Sequence, residues 1–211
     1  INPSVDCKIR ISGLYIDKVI MPKTPDITAI RIEASVTIGA NQPTTGLRID
    51  NNKFNGGSRT INFFSQAYGV IDNNYFLNPD LAISPYLGYT NDDAVWTAPI
   101  QAGTVNSIFI ENNTFVMNSS MPATTDQFMY HAAGGTSVIR YNTFDTTAYS
   151  GGLGGMVDVH GNYTWDAGLP GTSRGSPIIE IYHNTFAFNP STWHGGFDFR
   201  GRRDGIEWIP S

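Results

Sequence analysis

The stretch SIFIENNTFVMN, residues 107–118, carries the pattern that decides the fold of this chain. Its first half alternates as a β-strand does, with Ile108 and Ile110 on one face. Asn113 then interrupts the alternation. Asparagine adopts the left-handed backbone conformation more readily than other residues with a side chain, so we predict a corner at this residue. Phe115, on the strand after the corner, is predicted to point inward.

The same pattern occurs four more times, in GLRIDNNKFNG (46–56), GVIDNNYFLN (69–78), SVIRYNTFDT (137–146) and IIEIYHNTFAFN (178–189). Aligned phenylalanines are separated by 22 residues at the shortest (Phe54 to Phe76) and by 42 at the longest (Phe144 to Phe186). A degenerate copy, RISGLYI, places Ile16 where Phe54 stands. Such spacing is typical of stacked repeats. The longer intervals are either coils with inserted loops or pairs of coils of which one has lost the signature.

The repeated asparagine is predicted to form an internal ladder, in which each side-chain amide bonds to the amides above and below it. Its members are Asn52, Asn74, Asn113, Asn142 and Asn184. We predict one solenoid domain over residues 1–211, with stacked rungs about 4.8 Å apart. The coils are predicted near residues 5–20, 28–40, 46–65, 68–78, 105–118, 136–146 and 177–189, with loops at 39–46, 77–104, 117–127 and 146–177.

This repeat resembles that of the right-handed parallel β-helix, the pectate-lyase-like repeat superfamily, over about residues 7–190. The resemblance implies an all-β fold with long side loops. The same scaffold serves lyases, hydrolases, phage tailspikes and adhesins, so it does not specify a function. A β-sandwich with asparagine-rich turns is the alternative fold.

A second resemblance concerns the order of four short motifs in the C-terminal third of the chain. They are His160–Gly161, Arg174–Gly175, the segment Glu180–Phe186, and Arg200–Gly201. This order resembles uncharacterised secreted bacterial and archaeal β-helix proteins. It implies an extracellular or cell-surface location and no particular reaction.

Composition limits the partners of the chain. A net charge of −5 and a pI near 5.2 argue against a nucleic-acid surface, which needs a basic face. No apolar run is long enough for a membrane span. The N-terminus resembles neither a signal peptide nor a capping helix, so we expect a segment of a longer or processed polypeptide. Open strand edges favour a homo-oligomer or end-to-end assembly. The single cysteine, Cys7, is in phase with Ile9 and Ile11 and is predicted to be a buried thiol.

The candidate catalytic residues lie between 158 and 204. DVHG places Asp158 and His160 on one side of a strand, where a carboxylate can orient an imidazole for proton transfer. FDFRGRR places Asp198 and Arg200 outward, and Arg174 completes the group. An ordinary solvated row of ion pairs is the alternative interpretation.

Two further patterns concern substrate and metal. TNDDAVW is similar to the paired-aspartate motif of polygalacturonase-type glycosidases, which implies an acid and a base at Asp92 and Asp93. The chain lacks the Asn-Thr-Asp and Arg-Ile-Lys elements of those enzymes, so a polar turn is the alternative. A pectate-type lyase would bind Ca²⁺, here at Asp158 and Asp198, with Arg200 or Arg202 as base.

Aromatic side chains in the predicted loops are suited to the faces of sugars. With the two aspartates they complete the predicted substrate-binding set: Asp92, Asp93, Trp96, Trp165 and Trp193. The sequence therefore predicts an extracellular carbohydrate-binding or surface-structural module. The alternative is a polysaccharide lyase or glycoside hydrolase with its site in residues 158–204.

Overall fold

The computed structural model describes residues 8–17, 28–32, 44–57, 59–63, 67–85, 101–118, 127–131, 136–151, 155–160, 176, 178–191 and 196–200. Within these ranges the regular structure is all β and contains no helix that could cross a membrane.

In the described part of the chain, eighteen strands form three parallel six-stranded sheets. Sheet A contains β1 (Ile9–Ser12), β4 (Thr44–Asp50), β7 (Ala67–Asp72), β10 (Ile108–Glu111), β13 (Ser137–Arg140) and β16 (Ile179–Tyr182). Sheet B contains β2 (Tyr15–Asp17), β5 (Lys53–Asn55), β8 (Tyr75–Leu77), β11 (Thr114–Val116), β14 (Thr143–Asp145) and β17 (Thr185–Ala187). Sheet C contains β3 (Thr28–Ile32), β6 (Arg59–Phe63), β9 (Ile83–Pro85), β12 (Met129–His131), β15 (Val157–His160) and β18 (Phe197–Arg200).

The chain passes through sheets A, B and C in turn, and each pass adds one strand to every sheet. We number these six passes coil 1 (β1–β3) to coil 6 (β16–β18). The arrangement is consistent with a parallel β-helix. Each interval between aligned phenylalanines spans one coil, so the longer intervals contain inserted residues and no additional coil.

Identical apolar residues stack from coil to coil in the core. On sheet A the register aligns six isoleucines: Ile11, Ile49, Ile71, Ile110, Ile139 and Ile181. On sheet B it aligns Ile16 with Phe54, as the degenerate copy predicts, and continues through Phe76, Phe115, Phe144 and Phe186. Neighbouring phenylalanine rings lie between 4.7 and 5.0 Å apart, centroid to centroid. Parallel in-register strands place equivalent positions of successive coils side by side. A single residue type, repeated at one position of the coil, therefore packs against itself along the length of the core.

The left-handed corner lies one residue earlier than we predicted. Positive φ angles occur at Asn51, Asn73, Asn112, Tyr141 and His183, and not at the asparagines that follow them. Gly13 occupies the same position in coil 1, with a φ of 75°. The sequence pair NN does not show which asparagine has the positive φ, because either asparagine tolerates the left-handed conformation.

The following asparagine turns its side chain into the protein. Asn113 is 1% exposed, and its Oδ1 accepts bonds from the backbone N–H of Asn74 (2.9 Å) and from Asn74 Nδ2 (3.0 Å). Asn113 Nδ2 in turn donates to Asn142 Oδ1 (3.1 Å) and to the carbonyl of Ile71 (2.8 Å). We call the series Asn52, Asn74, Asn113, Asn142 and Asn184 the asparagine column. In coil 1 the position belongs to Leu14, whose backbone N–H donates to Asn52 Oδ1 (3.0 Å).

The coil limits also differ from our prediction. Residues 28–32 form the third strand of coil 1 instead of opening a coil of their own. The predicted loops 77–104 and 146–177 contain β9 and β15, the third strands of coils 3 and 5. These strands are only three or four residues long and share no signature, so the repeat does not reveal them.

A titratable side chain, that of His131, lies inside the fold. His131 is fully buried, and its Nε2 is 2.6 Å from Ser137 Oγ. Burial, which penalises the charged imidazolium, lowers the pKa of His131 to about 3. His131 pairs in register with Val159, which packs against the core, so this histidine–serine pair has no access to a substrate.

We predict that Asn113→Ala lowers the free energy of unfolding by about 2–4 kcal/mol, because it leaves buried backbone and amide groups of coils 3–5 without partners. Urea denaturation followed by circular dichroism measures this loss. Asn112→Gly is the matched control, since glycine accepts the positive φ of the adjacent exposed corner. Equal losses in the two variants would contradict the role of the column.

We predict that His131 makes the protein less stable in acid. Its folded pKa lies below the unfolded value of about 6.5, so the unfolded chain binds the extra proton as pH falls, and stability declines by about 1.4 kcal/mol per pH unit. Denaturation at about pH 6.5 and about pH 5 should show this decline in the wild type and a flatter dependence in His131→Gln. Identical pH dependence in both proteins would show that His131 does not cause it.

Candidate functional site

A polar row crosses the outward face of sheet C. Ile61 and Phe63 belong to the core, so Asn62 between them lies on the opposite face. Asn62 pairs in register with Ser84, Tyr130 pairs with Asp158, and Asp158 pairs with Asp198. Ile83 pairs with Met129, which places Ser84 beside Tyr130. We call these five residues the sheet C row: Asn62, Ser84, Tyr130, Asp158 and Asp198.

The register brings four of the five predicted catalytic residues to adjacent positions. Asp158 pairs with Asp198, and His160 pairs with Arg200 on the same two strands, β15 and β18. The structure describes the backbone at all four positions. Among the four side chains, it describes that of Asp158. Arg174 lies outside the described residues.

The first four residues of the sheet C row, Asn62, Ser84, Tyr130 and Asp158, are withdrawn from solvent although they face away from the core. Asn62, Ser84 and Asp158 are each 0% exposed, and so is Thr60, two residues before Asn62 on the same strand. Within the described part of the chain, the amide of Asn62 and the hydroxyls of Thr60 and Ser84 have no hydrogen-bond partner. Buried polar groups are rarely left unsatisfied, because each costs about 1–3 kcal/mol. Because these atoms are shielded from solvent, a ligand can bond to them only after the groups that cover them move.

Sequence reasoning did not identify Thr60, Asn62 or Ser84 as site residues. The alternation in RTINF was a usable signal, since it places Thr60 and Asn62 on the face opposite Ile61 and Phe63. The alignment of Asn62 with Ser84 and of Asp158 with Asp198 could not be predicted, because it depends on pairing across inserted segments of unequal length.

The row as described does not form a complete metal site. Among the described residues, no three His, Cys, Asp or Glu side chains are close enough to hold an ion together. Ca²⁺ takes six to eight oxygen ligands, so an ion at Asp158 and Asp198 would need further oxygens from other groups.

Sheet A carries ion pairs at its outward edge, beside the corner. Arg10 Nε lies 2.9 Å from Asp50 Oδ1, and this hydrogen-bonded pair lowers the pKa of Asp50 to about 2. Arg48 binds Asp72 (2.8 Å), and Arg140 binds Glu111 (2.7 Å). Their exposed arginine side chains make these pairs modest contributors to stability.

The remaining predicted functional residues cannot be placed. Asp92, Asp93, Trp96, Trp165 and Trp193 all lie outside the described residues, as does Cys7. Beside these candidates, the ring of Phe197 contacts that of Phe186 (5.0 Å between centroids) and is 43% exposed.

Comparison with known proteins gives no relative: no protein-family model, no curated protein and no solved structure matches the chain significantly.

Proposed function

We propose that the chain is a right-handed parallel β-helix module of an extracellular or cell-surface protein, and that it binds carbohydrate along the outward face of sheet C. Right-handedness follows the rule for crossover connections between parallel strands. The solenoid and its asparagine ladder give a rigid surface on which polar groups recur at a fixed interval.

The observation that supports this proposal is the continuity of the sheet C row. Amide, hydroxyl and carboxylate residues occupy neighbouring positions on five consecutive strands, a length of roughly 19 Å at about 4.8 Å per strand. The corresponding row of sheet A is apolar at its centre, with Val70, Phe109 and Val138 in register, and it is charged at its ends, with Arg10 and Arg48 on one side and Glu180 on the other. A sugar polymer carries hydroxyl groups along its length and therefore suits the sheet C row. The unpaired groups of Asn62 and Ser84 are shielded from solvent, and they bind such hydroxyls once the groups that cover them move.

A polysaccharide-degrading enzyme is the second candidate function. It is favoured by the register that sets Asp158 beside Asp198 and His160 beside Arg200. Glycoside hydrolysis uses two carboxyl groups, and lyase chemistry uses a base next to a group that stabilises a uronate carboxylate. His160 and Arg200 follow Asp158 and Asp198 by two residues on the same two strands, about 6.6 Å along each strand.

We predict that the protein binds a soluble polysaccharide and that Asn62→Ala combined with Ser84→Ala weakens this binding about tenfold or more, since lost ligand hydrogen bonds cost about 1–2 kcal/mol. Isothermal titration calorimetry with a panel of neutral and acidic polysaccharides measures the affinity of the wild type and of the double variant. Asp145→Asn on the outward face of sheet B is the matched control, and it should bind as the wild type does. Absence of binding across the panel would refute the proposal.

For the enzyme alternative, we predict that His160→Ala abolishes cleavage and leaves the thermal unfolding midpoint unchanged. Cleavage is followed in two ways, by new reducing ends and by the ultraviolet absorbance of an unsaturated product. The first alone indicates hydrolysis, and both together indicate elimination. Undiminished turnover in His160→Ala would exclude this site, and no cleavage by the wild type would leave the binding module as the function.

A further inference from the structure

The corner between sheets A and B holds a ring-bearing residue in coils 5 and 6, and the turn itself does not favour one of these, Tyr141. Its six positions, all with positive φ, are occupied in coil order by Gly13, Asn51, Asn73, Asn112, Tyr141 and His183. Glycine, asparagine and histidine are the residues found most often in this conformation, whereas a bulky residue such as tyrosine is strained there. Coils 1 to 4 and coil 6 thus meet what the turn requires. Coil 5 departs from it with Tyr141, and strained positions of this kind occur where function maintains them.

The rings at these two corners form an ordered surface. Tyr141 and His183 lie parallel, at an interplanar angle of 4° and a centroid distance of 5.4 Å. The ring of Tyr182 stands at 84° to His183, with centroids also 5.4 Å apart. Tyr141 is 52% exposed, and His183 is exposed as well. We call Tyr141, Tyr182 and His183 the aromatic corner.

Neighbouring charged groups fix the corner in place and neutralise one another. The Arg140 guanidinium donates to Glu111 Oε2 (2.7 Å) and to the hydroxyl of Tyr182 (3.0 Å). The same guanidinium lies over the rings of Phe109 (5.0 Å) and Tyr141 (5.8 Å). Rigid aromatic side chains bind a ligand at a low cost in conformational entropy, because few rotamers remain to be lost.

We propose that the aromatic corner binds the apolar face of a sugar ring in a neutral glycan. Exposed rings at right angles offer both a flat face and an edge, and C–H groups on one side of a pyranose pack against such a surface. Arg140 already occupies the cation site over Tyr141, which disfavours a cationic ligand, and Glu111 balances its charge, which removes the attraction for an anionic ligand. The hydroxyl of Tyr182 and the carboxylate of Glu111 can bond to the hydroxyl groups of the sugar.

This inference rests on the proposed function for the class of ligand, but it concerns a different surface. The aromatic corner lies at the junction of sheets A and B, whereas the sheet C row lies on the third sheet. Variants at the two places therefore test the two proposals separately.

The test is the double variant Tyr141→Asn/His183→Asn, which gives coils 5 and 6 the corner residue of coils 2 to 4. Binding of the full 211-residue chain to cellohexaose, xylohexaose, mannohexaose and laminarihexaose is measured by calorimetry, with trigalacturonic acid as the acidic comparison. We expect the wild type to bind at least one neutral hexasaccharide, and the double variant to bind it about tenfold or more weakly. Its melting temperature should be unchanged or higher, because asparagine relieves the strain.

A matched control completes the experiment. Tyr15→Asn removes an exposed tyrosine of sheet B, away from the aromatic corner, and should bind as the wild type does. If the double variant does not fold, His183→Asn alone decides, and it should weaken binding at least about threefold.

Three results would overturn the inference. Affinity of the double variant within about twofold of the wild type would overturn it while leaving carbohydrate binding intact. Unchanged affinity in a folded His183→Asn variant would do the same. Failure of the wild type to bind any neutral hexasaccharide would overturn it as well, and binding to trigalacturonic acid would then leave the proposed function standing for acidic glycans.

Discussion

The hydrogen bonds of the asparagine column are the interactions on which the rest of the structure depends. Each corner turns the chain from sheet A into sheet B, and the backbone groups of the buried asparagine that follows it are cut off from water and need partners. An asparagine side chain supplies an acceptor to the coil before it and donors to the coil after it, as Asn113 does between Asn74 and Asn142. Because each bond joins two coils, the column also fixes the register in which the isoleucine and phenylalanine layers stack.

Register, in turn, creates the surfaces. Once coils are aligned in parallel, a residue type chosen at one position meets its counterpart about 4.8 Å away in the next coil. Inside, this gives pure layers of isoleucine and phenylalanine. Outside, it places Asp158 beside Asp198 on sheet C and stacks Tyr141 on His183 at the corner. Residues separated by about forty positions in sequence thus become neighbours because the strands that carry them pair in register.

The sequence predicts the parts of this structure that repeat and misses those that do not. The inward phenylalanines were predictable because one strong signature recurs at every coil. The left-handed residue was misplaced by one position because asparagine fits both places in NN, and only Tyr141 and His183 separate the two requirements. The strands β9 and β12 were missed because three residues are too few for a periodic pattern. The sheet C row needed the register between strands, which inserted segments of different lengths conceal.

The most direct test of the central claim is hydrogen exchange at the backbone amides of Asn74 and Asn113, measured by NMR. Each of these amides donates to the side-chain oxygen of the next asparagine, at 2.9 Å in both cases. If the column holds the coils together, the two amides exchange only when the whole protein unfolds, with the same opening free energy as the core residue Ile110. Exchange as fast as that of the exposed turn residue Val105 would contradict this account.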